Sequence, residues 1–512
     1  MSRNLRFERS RRLGLVCLAL GLAVGVSQIA SGAPADLSQR VEAAPTVDPA
    51  QLKSAINAEV RRALRVAPEL GVHVTSLSDG EDIYTFRAET PRIVASNVKL
   101  VTSAAALDRL GPGFFFETPI AMRGVVADGV LDGDLAIVGG GDPDISGRHY
   151  FGDSFAVFRE WAAALRARGI RRIEGDLVLV TGFFDEEEVH PDWPRGQLDR
   201  WYEAPVAALS FNANTVHVEV QPEVGGTAHV RLDPPVQLFP VVGTVQVTDS
   251  ARRQLVHIRR PATAADAERR RTIELSGRIW RRSSGVGTWI TVPDPTAYFG
   301  AVLRDALREE GIAVAGRTLA VDRLRPRADA PWQLLHVHRT DLLTALGVVN
   351  KRSQNFYAES VLKTLGARLC GEGSWEAGLR IVREFLDEVG IDGDWSMVDG
   401  SGMSRRNRFT PRQITSLLRH MFDHRWGGEF LRTLPFGGEA ESSLSSRFVD
   451  PPSRGNVFAK TGTLNGVSTL SGFAKARSGK IYVFSILLNS TSASWRGQQA
   501  QDRIVQALID EG

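Results

Sequence analysis

Three short motifs stand in a fixed order along the chain: Ser96-Asn-Val-Lys99, then Ser353-Gln-Asn355, then Lys460-Thr461-Gly462. A single site drawing on all three needs one domain built from the first and last parts of the chain, with the long stretch between the first two motifs inserted into it. Each motif alone is weak. A second Ser-x-x-Lys occurs at Ser360-Val-Leu-Lys363, inside an apolar helical pattern, and a second Ser-x-Asn at Ser210-Phe-Asn212. Order and context separate the copies: Ser96 opens a helical pattern, Ser353-Gln-Asn355 follows it, and Lys-Thr-Gly occurs once, at the start of a strand pattern. Together they spell a serine-lysine acyl-transfer site.

Lysine usage sharpens this reading. Of 62 Lys+Arg only seven are Lys, and Lys99 and Lys460 are two of them. A guanidinium cannot lose its proton in a protein, whereas a buried ammonium can, so a general base must be Lys rather than Arg. That explains Lys99. At Lys460 the chemistry needs only a cation.

The roles follow from acyl transfer. Ser96 is the candidate nucleophile, inert until a base removes its proton. It stands at the N-terminus of a helix expected over Val98 to Leu110, closed by Gly111-Pro112, and gains from the positive end of that helix. Lys99, three residues on, shares its face. Desolvated and crowded by Lys460, it can serve as the base. Ser353 relays the proton to the leaving amine and Asn355 holds the substrate amide. Lys460 and Gly462 belong to the substrate-binding strand, where Thr461 and Thr463 can hydrogen-bond a terminal carboxylate. The backbone N–H groups of Ser96 and Thr463 form the expected oxyanion hole. The bland alternative is that Ser353 and Asn355 merely start a helix.

The N-terminus reads as a secretory leader over residues 1–33. Five arginines (Arg3, Arg6, Arg9, Arg11, Arg12) precede a 14-residue apolar run, Leu13 to Val26, and then the small residues Ala30-Ser-Gly-Ala33. The run is short for a membrane span, and an uncleaved anchor is the alternative. Removing the leader's net +4 from the chain's +3 leaves the remainder near −1, with no basic footprint for nucleic acid. Of the two cysteines, Cys17 lies in the leader, so Cys370 has no partner for an internal disulfide. An exported protein of the bacterial envelope, periplasmic or wall-associated, is the expectation; membrane association and oligomeric state stay open.

At 512 residues two or three domains are expected. Residues 34–50 read as a linker, Asp48 to Ala67 as a helix, and Gly71–Leu77 with Asp82–Phe86 as a β-hairpin. From about 120 to 340 short alternating runs dominate, such as Gly133–Val138, Gly175–Val180 and Thr215–Val220, with helices at Asp153–Arg168 and Thr296–Glu310. Helices return at Leu342–Val349, from Ser353 towards Leu369, at Trp375–Val389, and from Pro411 after the cap Thr410. A hairpin (Thr469–Phe473, Ile481–Leu488) and the helix Trp495–Ile509 close the chain. The expected fold class is α/β (α+β), with a strand-rich stretch at about 120–340 that reads as inserted, because the motifs resume only after it.

A zinc peptidase is the main chemical rival. His336-Val-His338 has strand spacing, but no Glu-containing zinc motif accompanies it, and His190-Pro-Asp192 is isolated. Gly139-Gly-Gly-Asp142-Pro143 lacks the Gly-Lys-Ser/Thr end of a phosphate loop and reads as a tight turn. No cofactor is expected.

The chain resembles the serine D-alanyl-D-alanine carboxypeptidase/endopeptidase family, the class C low-molecular-mass penicillin-binding proteins. The residues that carry the resemblance are Ala95–Leu100, Gly140-Gly-Asp-Pro143, Trp201-Tyr-Glu-Ala-Pro-Val206 with Leu209–Asn212, Asn350–Glu359, Asp399-Gly-Ser-Gly402 and Ala459–Leu464. The 257 residues from Ser96 to Ser353 fit a family with large domains inserted there. The resemblance implies a β-lactamase-like transpeptidase domain at 34–119 and 341–512, an insertion at 120–340 with one part nested in another, cleavage of D-Ala-D-Ala ends of peptidoglycan stem peptides or of D-amino crosslinks, β-lactams as covalent inhibitors, and no metal. It also suggests Asp142 as a partner for the free ammonium of a diaminopimelate side chain, with turn capping as the alternative. Many relatives carry Asp in place of Gln354, a change without expected consequence, and Gly437–Leu444 departs from their usual Gly-Thr-Leu ending. A β-lactamase or esterase using the same site, and a non-catalytic wall-binding protein, remain as rival functions.

Overall fold

The computed structural model describes residues 47–148, 152–223, 225–325 and 331–512, and all counts refer to these residues. The expected leader, Cys17 and most of the 34–50 linker lie outside them.

A five-stranded antiparallel sheet joins the two ends of the chain. Its order is Val457–Leu464, Val467–Lys475, Ile481–Asn489, Glu69–Ser76 and Asp82–Phe86. The register sets Gly71 opposite Leu487 and Val74 opposite Phe484. The central strands are buried almost throughout, which requires cover on both faces. One cover is the pair of helices Pro49–Ala63 and Ser494–Glu511. The first starts on an Asp48 cap with Pro49 in its first turn, and its Leu52, Ile56, Val60 and Ala63 form the buried stripe.

Helices Val98–Leu110, Asn355–Cys370 and Pro411–Asp423 pack on the other face. Val98–Leu110 is the central one. Its residues from Val98 to Leu107 are all buried, and it ends at Gly111, whose φ of +74° suits glycine. Burial on every side is what strips water from a lysine carried by this helix.

Strand Phe115–Ala127 leaves this helical layer, and Gln333–Asp341 returns antiparallel to it, with Asp341 opposite Phe115. Both belong to a seven-stranded mixed sheet covered on one face by helices Ala156–Ala167 and Pro295–Glu309. The expected limits at 120 and 340 therefore fall inside two paired strands. Between the helices lie a three-stranded sheet (Thr215–Gln221, His229–Asp233, Val286–Thr291) and a four-stranded one around Ile273–Trp280. Two local expectations shift, and one short helix was not foreseen. Ser353 lies outside the following helix, which begins at Asn355. Lys460 sits mid-strand rather than at a strand start. A short helix at Gly427–Thr433 had no sequence signal strong enough to place it.

Candidate active site

Ser96 lies in the single 3₁₀ turn Ala95–Asn97 that leads into helix Val98–Leu110. The turn is strained, since Ala95 has φ +46°, a conformation L-residues rarely adopt. Side chains from the sheet hold it there. Asn97 Nδ2 donates to the Lys460 carbonyl at 2.9 Å, Ser471 Oγ donates to Asn97 Oδ1 at 2.7 Å, and Thr469 Oγ1 donates to the Val94 carbonyl at 2.9 Å. Gly462 lets the strand approach: a Cβ there would lie 2.2 Å from Thr469 Oγ1 and 3.0 Å from the Ser96 nitrogen.

One turn on, Lys99 is fully buried. Its Nζ donates to Ser96 Oγ at 3.0 Å, to Asn355 Oδ1 at 2.7 Å and to the Ser401 carbonyl at 2.5 Å. Burial lowers its proton affinity, against the pull of the Glu359 and Asp399 carboxylates, and the result is a pKa brought down to about 7. Lys460 is equally buried, and its Nζ donates to Ser353 Oγ at 2.8 Å and to the Thr461 carbonyl at 2.8 Å. Burial pushes its pKa well down, with the Lys99 charge adding to the effect. The expected crowding acts on Lys460 instead: Lys460 is not among the causes of the Lys99 shift, which is set by burial against the two carboxylates.

Ser353 adopts φ +57° between helices Leu342–Lys351 and Asn355–Cys370, which turns its hydroxyl to Lys460. Asn355 follows in the first turn of its helix. Its Oδ1 takes the Lys99 proton donor, and its Nδ2 donates to the Tyr202 carbonyl at 2.8 Å, so the strand-rich segment reaches into the site. A cleft of about 580 Å³ is lined by Ser96, Ser353, Asn355, Thr461, Gly462 and Thr463, with Trp201, Tyr202, Met403 and Arg405 on its walls. The structure thus brings together Ser96, Lys99, Ser353, Asn355, Lys460, Thr461, Gly462 and Thr463.

Asp142 does not line the cleft. Its buried carboxylate accepts the Asp144 N–H at 2.9 Å and the Thr340 hydroxyl at 2.8 Å, and burial raises its pKa to about 7. The expected contact with a substrate ammonium gives way to turn capping, because both oxygens are engaged inside the fold. His338 stands near it, with Nε2 3.7 Å from Asp142 Oδ2. The departing segment Gly437–Leu444 is tied to the residues just before Ser353: Glu439 pairs with Lys351 at 2.6 Å and Glu441 with Arg352.

Sequence reasoning left Glu359 and Asp399 without a role, although both fall inside quoted segments. Glu359 accepts the N–H groups of Gly400 and Ser401 at 2.8 Å each. Asp399 accepts those of Gly402 at 2.8 Å and Ser404 at 2.6 Å. They shape the loop that points the Ser401 carbonyl at Lys99.

A serine in contact with a buried lysine, and a second serine-lysine pair across one cleft, are the arrangement that a serine acyl-transfer hydrolase needs. The chain belongs to the D-Ala-D-Ala carboxypeptidase 3 (S13) family, whose model matches residues 55–509. It is 31% identical over 439 residues to the D-alanyl-D-alanine carboxypeptidase of Actinomadura sp. (strain R39), covering 82% of this chain and 78% of that one. The crystal structure of penicillin binding protein 4 from Haemophilus influenzae matches with a TM-score of 0.74 and 26% identity, over 87% of this chain and 97% of that one. The same protein complexed with a β-lactam matches with a TM-score of 0.70 and 25% identity, over 88% and 99% of the two chains. The fold is accordingly α/β of the penicillin binding protein 4 kind with additional strand-rich sheets. The protein is a serine-type D-Ala-D-Ala carboxypeptidase, of a family of extracytoplasmic cell-wall enzymes.

Proposed function

We propose that Ser96 carries the acyl group and that Lys99 is its general base. The observation that carries this reading is the 3.0 Å contact between Lys99 Nζ and Ser96 Oγ, with the ammonium fully buried. Ser96 Oγ attacks the carbonyl carbon of the penultimate D-Ala while its proton passes to neutral Lys99. The oxyanion is held by the backbone N–H groups of Ser96 and Thr463. Collapse breaks the C–N bond, and the departing D-Ala amine takes up, through Ser353 Oγ, the proton that Lys99 received, which returns Lys99 to its neutral form. Water then cleaves the Ser96 ester, with Lys99 again the base.

Asn355 and the Lys460 strand hold the substrate. The terminal carboxylate meets Thr461 and Thr463, and its negative charge raises the proton affinity of Lys460, so the cation is restored when substrate binds. The same site takes β-lactams as covalent inhibitors, as the β-lactam complex of the Haemophilus influenzae relative suggests. Endopeptidase action on D-amino crosslinks uses the same steps with a longer leaving amine. Export by the 1–33 leader to the bacterial envelope fits the substrate. Residues 34–119 and 341–512 form the peptidase domain, and 120–340 the insertion with one part nested in another; the pairing of strands Phe115–Ala127 and Gln333–Asp341 supports a common point of exit and return.

The test is the intact mass of the protein after incubation with benzylpenicillin, with peptide mapping. One stable acylation on the peptide bearing Ser96 is expected. Penicillin hydrolysis without an adduct would instead mark a β-lactamase, and neither adduct nor hydrolysis a non-catalytic wall-binding protein.

A further inference from the structure

Behind the cleft lies a buried layer that the roles above do not use. Asn355, Glu359 and Lys363 stand four residues apart on one helix and form one stripe. Asn355 touches Lys99. Glu359 accepts, besides the loop N–H groups, the indole Nε1–H of Trp375 at 2.8 Å. Lys363 belongs to the second Ser-x-x-Lys, which the sequence presents as ordinary helix. It is fully buried, donates to Asp185 Oδ1 at 2.6 Å and to the Glu187 carbonyl at 2.8 Å, and its Nζ lies 4.2 Å from the centre of the Trp375 ring. Trp375 packs edge to face on Trp193 at 5.9 Å, and Trp193 Nε1 donates to Asp399 Oδ2 at 3.1 Å. Each indole has one polar atom, and each spends it on one of the two carboxylates that act on Lys99.

We propose that Trp375 and Trp193 are positioning residues for the general base: their N–H groups fix Glu359 and Asp399, and through them the Ser401 carbonyl, against Lys99, while Lys363 anchors the layer from behind. This rests on Lys99 being the base. The charged and polar groups facing Lys99 are the Ser96 hydroxyl one turn before it, Asn355 and Glu359 from their helix, Asp399 and the Ser401 carbonyl from the loop, and Lys460 from its strand. Trp375 is faced on its far side by Lys363 and by the His190 ring at 5.1 Å, with Asp185, Glu187 and Glu188 around the Lys363 ammonium. Burial first and the Asp399 charge second raise the proton affinity of Glu359, while the Ser401, Gly400 and Trp375 donors lower it. Without the Trp375 donor, Glu359 keeps its proton to higher pH. Lys99 then feels less negative charge and gives up its own proton at lower pH.

The experiment is the rate of Ser96 acylation by benzylpenicillin against pH for the full chain and for Trp375→Phe and Trp193→Phe. In Trp375→Phe the acid limb is expected to move down by about half a unit or more, with the melting curve still cooperative. Trp193→Phe is expected to lower the plateau rate about tenfold, by releasing the loop from Asp399. An acid limb of Trp375→Phe that coincides with that of the unaltered protein, whatever the rate, overturns the proposal, as does a Trp193→Phe plateau at the unaltered rate. Should Trp375→Phe not fold, the benzothienyl analogue of tryptophan at 375 removes the N–H alone, and the same shift decides. A flat profile or no Ser96 adduct in the unaltered protein would sink the reading of Lys99 itself, a different outcome.

Discussion

At the residue scale, the two lysines divide the work by what surrounds them. Lys99 has carboxylates behind it and a pKa near 7, so the free base is available at neutral pH. Lys460 has no carboxylate among the causes of its shift and waits for the substrate's. With Lys99 as the proposed base, the acylation rate is expected to rise as pH increases through about 7. Lys99→Arg, which cannot shed its proton, should lower the rate by roughly a thousandfold and abolish that limb; the pH profile of benzylpenicillin acylation checks both. These residues were legible because the chemistry demands particular types at particular spacings, and because lysine is scarce in this chain. Glu359, Asp399 and Trp193 were not, since their roles exist only once distant segments meet. Asp142 was legible as part of a Gly-Gly-Asp-Pro run, but the run does not reveal that Thr340, 198 residues on, takes up its carboxylate.

At the scale of elements, the site is a strained turn clamped between a helix and a strand. Ala95 at φ +46° and Gly402 at φ +87° face each other so closely that a Cβ on Gly402 would lie 2.0 Å from the Ala95 carbonyl. The Lys-Thr-Gly strand closes from the other side through Gly462. Gly462→Ala sets a methyl group against Thr469 Oγ1, the hydroxyl that holds the Val94 carbonyl, and against the Ser96 nitrogen. The strand must retreat by about an ångström, which is expected to cost at least a hundredfold in acylation against roughly 1–3 kcal/mol of stability. Acylation kinetics beside a thermal melt separate the two effects; a variant that acylates at the unaltered rate would show that the close approach is not required. The helix and strand patterns here were readable because apolar periodicity and caps such as Thr410 and Gly111 mark them. The left-handed turn at Ser353 was not, because nothing in Arg-Ser-Gln distinguishes it from a helix start.

At the scale of the whole molecule, the strand-rich segment is joined to the chemistry at separate points. Tyr202 holds Asn355, Trp193 holds Asp399, and Asp185 holds the buried Lys363. The spacing of the motifs leads to the expectation of an insertion but does not show these contacts, because they pair side chains and carbonyls across more than a hundred residues. They make the segment a part of the site's frame rather than an appendage. Met122 and Gln333 lie opposite each other in the strands that lead out and back, so residues 123–332 can be replaced by a two-residue turn without straining the ladder. The shortened protein keeps every motif residue and the five-stranded sheet that joins its ends. It leaves Lys363 buried without its carboxylate, and loss of one partner of a buried pair costs about 3–5 kcal/mol. Asn355 loses its anchor and the Asp399 loop loses its indole donor. Its Ser96 acylation by benzylpenicillin is expected to fall at least a hundredfold even where far-UV circular dichroism and a cooperative melt show a folded domain. Acylation at the full-length rate would mean that the motifs and the sheet alone hold the site together.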